Sequence, residues 1–285
     1  MKTSALTSAF WVRRSMLRAG VAAVSAIAFP SVWSQRSKPQ PDDSRMALVI
    51  GNADYRTKPL RNSVNDARAV ASAMRDVGFS LIMRENASQA TMIDAMKEFW
   101  LRSRRSEARV LYFSGHGMQH RGKNYLLPVD TLIEQQDDLP RRAASVDEVV
   151  EKLNENTRGI NVVILDACRT PPVAHGTRTR GGAGLGATRS IGPGLAQVNA
   201  PQGTLIAFST SPGSVAYDGV DGSSPYTKHL VDQLKMPGQS VEQLFKRVRI
   251  AVANETGNKQ VPWESSSLMG DFCFTPDSSG RCVAS

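Results

Sequence analysis

The sequence predicts an α/β domain with a mostly parallel central sheet flanked by helices on both faces. Five short segments are apolar almost throughout, which is typical of strands buried on both faces of a parallel sheet. Segments with a helical period of apolar residues lie between them, and the sequence contains no internal repeat. The 285 residues are 41% hydrophobic and 21% charged, a globular composition that excludes wholesale disorder and collagen-like repeats.

Strands and helices are predicted to alternate from residue 46 onward. The strands are expected over residues 46–51, 79–84, 108–114, 161–167 and 203–210. The helices are expected over residues 63–77, 88–104, 145–153, 225–234 and 240–254. Two of the helices begin with capping boxes, Ser145 with Glu148 and Ser240 with Gln243. Residues 118–128 predict a hairpin that turns at Arg121-Gly122.

The N-terminal residues are interpreted as an export signal over residues 1–34, followed by a polar linker over residues 35–45. Arg13 and Arg14 precede a mildly apolar stretch. This arrangement resembles the signal of the Tat export route and predicts a periplasmic location. The alternative is an uncleaved leader at the membrane surface. A single membrane anchor is not expected, because the stretch is well short of the ~20 apolar residues that a spanning helix needs.

The folded domain is predicted over residues 46–275, with a short tail over residues 276–285 and no further membrane-spanning segment. The formal net charge is +9, but the first 45 residues hold seven basic and two acidic side chains, which leaves +4 for the rest. A nucleic-acid partner is therefore not expected. Residues 169–202 are rich in Gly, Pro and Arg without periodicity, and a loop of that length is usually functional or disordered.

Chemically reactive residues follow the third and fourth predicted strands. The third runs into Ser114-Gly115-His116-Gly117, and the fourth into Asp166-Ala167-Cys168-Arg169. Because the carboxyl ends of neighbouring parallel strands share one edge, His116 and Cys168 are expected to meet there. A nearby imidazole activates a thiol, and N–H groups beside the glycines can hold an oxyanion. A lone cysteine is more often a small buried hydrophobe, but the histidine 52 residues upstream favours a nucleophile.

Seven segments are similar to those of the caspase-like cysteine peptidases of bacteria, which are related to the metacaspases. They are ALVIGNADY (47–55), PLRNSVNDA (59–67), VLYFSGHG (110–117), YLLPVD (125–130), VVILDACR (162–169), TLIAFSTSPGSVAYDG (204–219) and SSPYTKHL (223–230). The resemblance covers roughly residues 46–275 and implies a caspase-like fold. It implies His116 and Cys168 as a catalytic dyad, and the N–H groups of Gly117 and Cys168 as an oxyanion hole. It also implies that residues 169–202 are a flexible loop of the kind that links the large and small subunits of caspases.

The residue two before the cysteine suggests the substrate preference. Caspases have Gln there and accept aspartate at P1, whereas Asp166 stands here, as in metacaspases. An acidic pocket selects Arg or Lys through charge-assisted hydrogen bonds, and the resemblance adds Asp66 and Ser114 to that pocket. The alternative for Asp66 is a carboxylate favoured by a helix N-terminus, and for Asp166 a loop cap.

No metal or other cofactor is expected. Many metacaspases bind calcium through additional aspartates, but here the segment after His116 is basic. Asp137 and Asp138 alone fall far short of the six to eight oxygens that Ca²⁺ prefers. Cys273 and Cys282 are candidates for a disulfide in an oxidising compartment, and two free thiols are the alternative.

The sequence therefore predicts an exported cysteine endopeptidase that cleaves peptides or proteins after Arg or Lys through an acyl-enzyme. Arg178, Arg180 and Arg189 are candidate sites of self-cleavage in the long loop; the alternative is an uncut, solvated loop. A second hypothesis is a non-proteolytic caspase-fold binding or signalling module. A nucleotide-binding protein is disfavoured, because GNADY supplies only Gly51 after the first strand.

Overall fold

The computed structural model describes most of the predicted domain. The described residues are 43–133, 136–155, 158–168, 195–196, 198–212, 214, 216–219 and 222–282, without the side chains of residues 136 and 168. The predicted export signal and most of the segment 169–202 lie outside them. Within the described ranges, no helix has both the length and the apolar character needed to cross a membrane.

Eight strands and six α-helices are present in the described residues. The strands are β1 (Arg45–Gly51), β2 (Ser80–Glu85), β3 (Ala108–His120), β4 (Lys123–Leu126), β5 (Ala144–Ser145), β6 (Ile160–Cys168), β7 (Thr204–Phe208) and β8 (Trp263–Ser266). The helices are α1 (Ser63–Asp76), α2 (Gln89–Arg102), α3 (Leu139–Arg142), α4 (Val146–Asn154), α5 (Pro225–Leu234) and α6 (Val241–Glu255).

The central sheet has the order β2-β1-β3-β6-β7-β8. Its first five strands run parallel, and β8 is antiparallel to β7 at the edge. The far end of β3 turns back into β4, which pairs with the short strand β5. The predicted α/β class with a mostly parallel sheet is confirmed.

The two faces of the sheet bury alternate residues of each strand. On β1, Ala47 and Val49 pack with α1, α5 and α6, whereas Leu48 and Ile50 pack with α2 and α4 on the opposite face. Side chains that alternate along a strand point to opposite faces, so a strand covered by helices on both sides is apolar throughout. This is why the five parallel strands are visible in the sequence.

The structure differs from the prediction at the ends and edges of the sheet. The third strand continues through the glycines to His120, because its pairing with β6 extends to Cys168 and its last residues pair with β4. The edge strand β8 was not predicted, since its sequence WESS is polar and partly exposed. Arg45, assigned to the linker, lies in β1, and its guanidinium donates to the carbonyls of Val77 and Phe274.

The C-terminal segment is tied back to the domain. A disulfide joins Cys273 to Cys282, and Cys273 is buried. Phe274 packs against Phe79, with ring centroids 6.0 Å apart. The segment around residue 274 therefore belongs to the core that covers one face of the sheet.

Candidate active site

The carboxyl edge of the sheet brings the two predicted catalytic residues together. Strands β3 and β6 are parallel neighbours, in a register that pairs Ser114 with Asp166 and His116 with Cys168. Four of the residues singled out from the sequence therefore lie on two adjacent strand ends. The structure describes the backbone of Cys168 but not its side chain, and the strand register places the residue at this edge.

The imidazole of His116 is held by a backbone carbonyl of the loop after β1. Its Nε2 is 2.7 Å from the carbonyl oxygen of Lys58, and the residue is buried. A carbonyl oxygen only accepts hydrogen bonds, so Nε2 carries the proton of the neutral ring and Nδ1 is its basic nitrogen. Lys58 has a φ of 57°, in the left-handed region that residues other than glycine rarely adopt. The carbonyl that accepts the hydrogen bond from the imidazole belongs to this residue.

The glycines on both sides of His116 are closely packed, with less room for a side chain at position 115 than at position 117. A Cβ on Gly115 would lie 2.6 Å from the hydroxyl oxygen of Tyr55, which is too close for any side chain. A Cβ on Gly117 would lie 3.0 Å from Leu195 and 3.2 Å from the methyl of Ala167. The Gly-His-Gly sequence thus has a steric role in addition to the oxyanion role that the sequence suggests for the N–H of Gly117.

Two buried carboxylates lie next to this edge. Asp66, in the first turn of α1, and Asp166, on β6, are 1% and 3% exposed. The Oδ1 of Asp66 accepts from the hydroxyl of Ser223 at 2.6 Å and the N–H of Ser224 at 3.0 Å. The Oδ2 of Asp166 accepts from the hydroxyls of Ser224 at 2.6 Å and Thr227 at 3.0 Å. Ser224 therefore bridges the two acids.

Ionisation of both buried carboxylates at the same time is unfavourable. The pKa of Asp66 is raised to about 7, chiefly by burial and then by the negative charge of Asp166, although the hydrogen bonds from Ser223 and Ser224 oppose the rise. The pKa of Asp166 is also raised, chiefly by burial. An incoming cation would favour the ionised form of both groups. The pair is therefore suited to a buried positive charge.

Ser114, the third predicted pocket residue, is buried and is the partner of Asp166 in the register of β3 and β6. Tyr112, two residues before it on the same strand, reaches the same acid through Thr227. The Tyr112 hydroxyl lies 2.6 Å from that of Thr227, which donates to Asp166. The structure thus places Asp66, Ser114 and Asp166 in one cluster.

Comparison with known families identifies the domain. The sequence model of the caspase domain matches residues 44–273, which include the whole sheet and every site residue described above. The chain belongs to the caspase-domain peptidase family. The caspase-like fold implied by the sequence is thereby confirmed.

Several known proteins are similar to this caspase-domain chain. It is 28% identical over 126 residues to human mucosa-associated lymphoid tissue lymphoma translocation protein 1, covering 44% of this chain and 15% of that protein. It is 24% identical over 249 residues to pig caspase-1, covering 82% of this chain and 60% of that protein. For rat caspase-1 the identity is 23% over 240 residues, covering 78% and 57%. The chain spans at most 60% of the length of these relatives.

A third acid near the pair was not singled out from the sequence. The carboxylate of Asp218 accepts from the N–H groups of Arg61 at 2.8 Å and Asn62 at 3.3 Å, just before α1. Its negative charge raises the pKa of both Asp66 and Asp166. Only the tertiary contact between the segment after β7 and the start of α1 reveals this role, because no sequence spacing relates Asp218 to the other two acids.

A cavity opens beside this acidic cluster. Its volume is about 740 Å³, and Asp218 and Ser223 are part of its lining. The remaining lining residues are Tyr217, Gly219, Pro225, Lys228, Glu255, Thr256 and Lys259. A cavity of this size accommodates peptide side chains next to the acids.

The remaining predicted residues lie apart from the site. Asp137 lies 3.1 Å from Nε2 of His120 and forms an ion pair with Arg121 at 3.0 Å, and Asp138 pairs with Arg141 at 3.4 Å. Among the residues that the structure describes, no group of three or more His, Cys, Asp or Glu side chains is placed to hold a metal ion. The candidate self-cleavage residues Arg178, Arg180 and Arg189 lie outside the described residues.

Proposed function

We propose that the protein is a cysteine endopeptidase that cleaves peptide bonds after Arg or Lys. The observation that carries this proposal is the pair of buried carboxylates, Asp66 on α1 and Asp166 on β6, the latter two strand positions from the His116–Cys168 pair. Membership of the caspase-domain family supports the peptidase reaction. The acids supply the preference for a basic side chain, because burial makes an unneutralised charge unfavourable.

In the proposed mechanism, the sulfur of Cys168 attacks the scissile carbonyl. Nδ1 of His116 takes the thiol proton and later delivers it to the leaving amine, which departs from the resulting acyl-enzyme. Water then hydrolyses the thioester and restores the thiol. The N–H groups of Gly117 and Cys168 would hold the oxyanion. The hydrogen bond from Nε2 to Lys58 supports this assignment, since it leaves Nδ1 as the basic nitrogen.

The basic P1 side chain is proposed to extend toward the acid cluster. A guanidinium offers a planar set of N–H donors to two carboxylates, and an ammonium supplies a compact charge. Either cation would replace the mutual repulsion of Asp66 and Asp166 by attraction, and no cofactor is needed for this step. Aspartate at P1 would add another negative charge to the cluster and be rejected.

The export route remains part of the proposal. Arg13 and Arg14 in the predicted signal support delivery to the periplasm through the Tat pathway. The disulfide between Cys273 and Cys282 is compatible with an oxidising compartment.

An assay on short fluorogenic peptides that differ only at P1 tests the proposed function. Wild type should cleave Arg and Lys peptides and leave Asp peptides intact, and Cys168→Ala and His116→Ala should each be inactive.

Asp166→Asn should lose about ten- to a hundredfold in kcat/KM for Arg peptides, which is the scale of one charge-assisted hydrogen bond. Asp137→Asn, which changes an exposed acid outside the site, is the matched control. Preferred cleavage after aspartate would overturn the assignment.

A further inference from the structure

The loop over residues 53–60, between β1 and α1, is folded back on itself beside His116. The N–H groups of Leu60 and Tyr55 both donate to the carbonyl of Ala53, at 3.0 and 2.9 Å. The loop presents two groups to the histidine, the carbonyl of Lys58 and the phenol of Tyr55. The carbonyl of Lys58 determines which nitrogen of the imidazole carries the proton. The phenol of Tyr55 contacts the backbone of the same histidine.

The hydroxyl of Tyr55 fixes the backbone of His116. It accepts the N–H of His116 at 2.9 Å and donates to the carbonyl of Leu127 at 3.0 Å. The N–H of Leu127 in turn donates to the carbonyl of His116 at 3.0 Å. The three hydrogen bonds form a closed ring, so both backbone groups of His116 are tied to the segment that follows β4. Tyr55 is buried, which makes each of these bonds costly to lose.

The aromatic ring of Tyr55 also contacts the imidazole. The two ring centroids are 4.4 Å apart, with an angle of 48° between the planes. Packing at this distance restricts rotation of the imidazole about its side-chain bonds. The electron-rich face of a phenol also favours a nearby cation, here the imidazolium that forms during catalysis.

The glycine before His116 is complementary to this phenol. A Cβ at position 115 would lie 2.6 Å from the Tyr55 hydroxyl oxygen, so the hydroxyl reaches the backbone of His116 because residue 115 has no side chain. The Gly-His sequence and Tyr55 therefore form one unit, although about sixty residues separate them in the chain.

We propose that Tyr55 is a positioning residue that holds the backbone and the imidazole plane of His116 in the orientation needed for proton transfer. The inference rests on the proposed His116–Cys168 dyad. It assigns the hydroxyl and the ring separate roles: the hydroxyl sets where the histidine lies, and the ring favours its protonated form.

Three variants separate these roles. Tyr55→Phe removes only the hydroxyl and leaves the ring, and Tyr55→Leu removes both. Tyr125→Phe is the matched control, since Tyr125 packs in the same buried cluster as Tyr55 and, among the described residues, forms neither a hydrogen bond nor a ring contact with His116. Each variant is assayed on the Arg peptide, with kcat normalised to the concentration of active sites titrated by an alkylating peptide. A misfolded fraction then does not enter the result.

The expected result is a split between kcat and KM. Tyr55→Phe should lower kcat about tenfold and change KM less than twofold, because substrate binding at the acids is untouched. Tyr55→Leu should lower kcat further. It should also move the acid limb of the pH profile to lower pH, since the imidazolium loses its stabilising ring and His116 becomes a neutral base at lower pH. Tyr125→Phe should keep the wild-type kcat and pH profile.

The result that would overturn the inference is distinct from failure of the proposed function. Wild-type kcat in Tyr55→Phe, together with an inactive His116→Ala, would remove the positioning role and leave the dyad intact. Wild-type activity of His116→Ala would remove the dyad itself. An equal loss of kcat in Tyr55→Phe and Tyr125→Phe would show a general packing effect and also overturn the inference.

Discussion

Asp66 carries a carboxyl whose charge state depends on pH near neutrality. Its ordinary pKa of 3.8 is raised to about 7 by burial and by the charge of Asp166. A cation at P1 favours the ionised carboxylate, so binding below pH 7 must release a proton from the pair. The substrate preference is thus linked to the protonation of one residue, and the two acids titrate as a pair.

The KM for an Arg peptide should therefore rise as the pH falls from 8 to 6. The rise should approach about tenfold per unit below pH 7, because each unit reduces the ionised fraction of Asp66 about tenfold. In Asp66→Asn the KM should be higher at pH 8 and should depend less on pH than in wild type. Steady-state kinetics between pH 6 and 8 check this. Equal KM values for wild type at pH 6 and 8 would contradict the proposed titration of the pocket.

At the scale of elements, the start of α5 organises the acid pair. The hydroxyl of Ser224, the N-cap of this helix, accepts from the N–H of Thr227 at 3.0 Å and donates to Asp166 at 2.6 Å. Its own N–H donates to Asp66. One residue thus begins the helix and spaces the two carboxylates, which links the stability of α5 to the substrate preference.

Ser224→Ala should reduce both stability and discrimination at P1. The loss of the cap and of the hydrogen bond to Asp166 should lower the free energy of unfolding by about 1–3 kcal/mol. The ratio of kcat/KM for Arg over a neutral P1 residue should fall several-fold. Ser240→Ala is the control, because Ser240 caps α6 through Gln243 without contacting the acids in the described structure. That variant should lose about 1 kcal/mol and keep the preference. Loss of preference in both variants would argue against a specific role of Ser224.

Much of the architecture was predictable because burial on both faces makes the central parallel strands apolar along most of their length. The caps at Ser145 and Ser240 are also visible as patterns, and both hydroxyls accept the expected N–H. The edge strand β8 was not predictable, since a partly exposed polar strand depends on its neighbour rather than on its own hydrophobicity.

From residue patterns alone, the site was predictable only where its residues belong to strand-end motifs; Asp66, in the first turn of α1, was predicted from the family resemblance. His116 and Cys168 follow recognisable strands, so their meeting follows from the sheet register. Asp218, Lys58 and Tyr55 reach the site from loops, and their distances depend on how the chain folds back. A left-handed residue such as Lys58, whose carbonyl orients the histidine, leaves no signal in a hydrophobic pattern.

At the scale of the whole molecule, the chain between β6 and β7 leaves the sheet at Cys168 and returns near Gly203. Residues 169–202 therefore start at the proposed nucleophile and contain three arginines of the type that the acid pair would accept, at positions 178, 180 and 189. We propose that the enzyme cuts this segment after one or more of them. Both strands would stay paired in the sheet after such a cut.

Incubation of wild type beside Cys168→Ala should show this self-cleavage. Wild type should yield two fragments, and sequencing the new N-termini should place the cut after Arg178, Arg180 or Arg189. Cys168→Ala should stay intact because it lacks the nucleophile. Intact wild type, under conditions where it hydrolyses Arg peptides, would show that the segment is not a substrate.

The central claim is that Cys168 is a nucleophile served by a pocket for basic side chains. The most direct measurement is covalent labelling by two peptidyl chloromethyl ketones that differ only in Arg or Asp at P1, followed by mass-spectrometric mapping of the label. We expect the Arg reagent to alkylate Cys168 at least tenfold faster than the Asp reagent, and His116→Ala to slow labelling by both reagents because it removes the base. A label on another residue, or faster labelling by the Asp reagent, would contradict it.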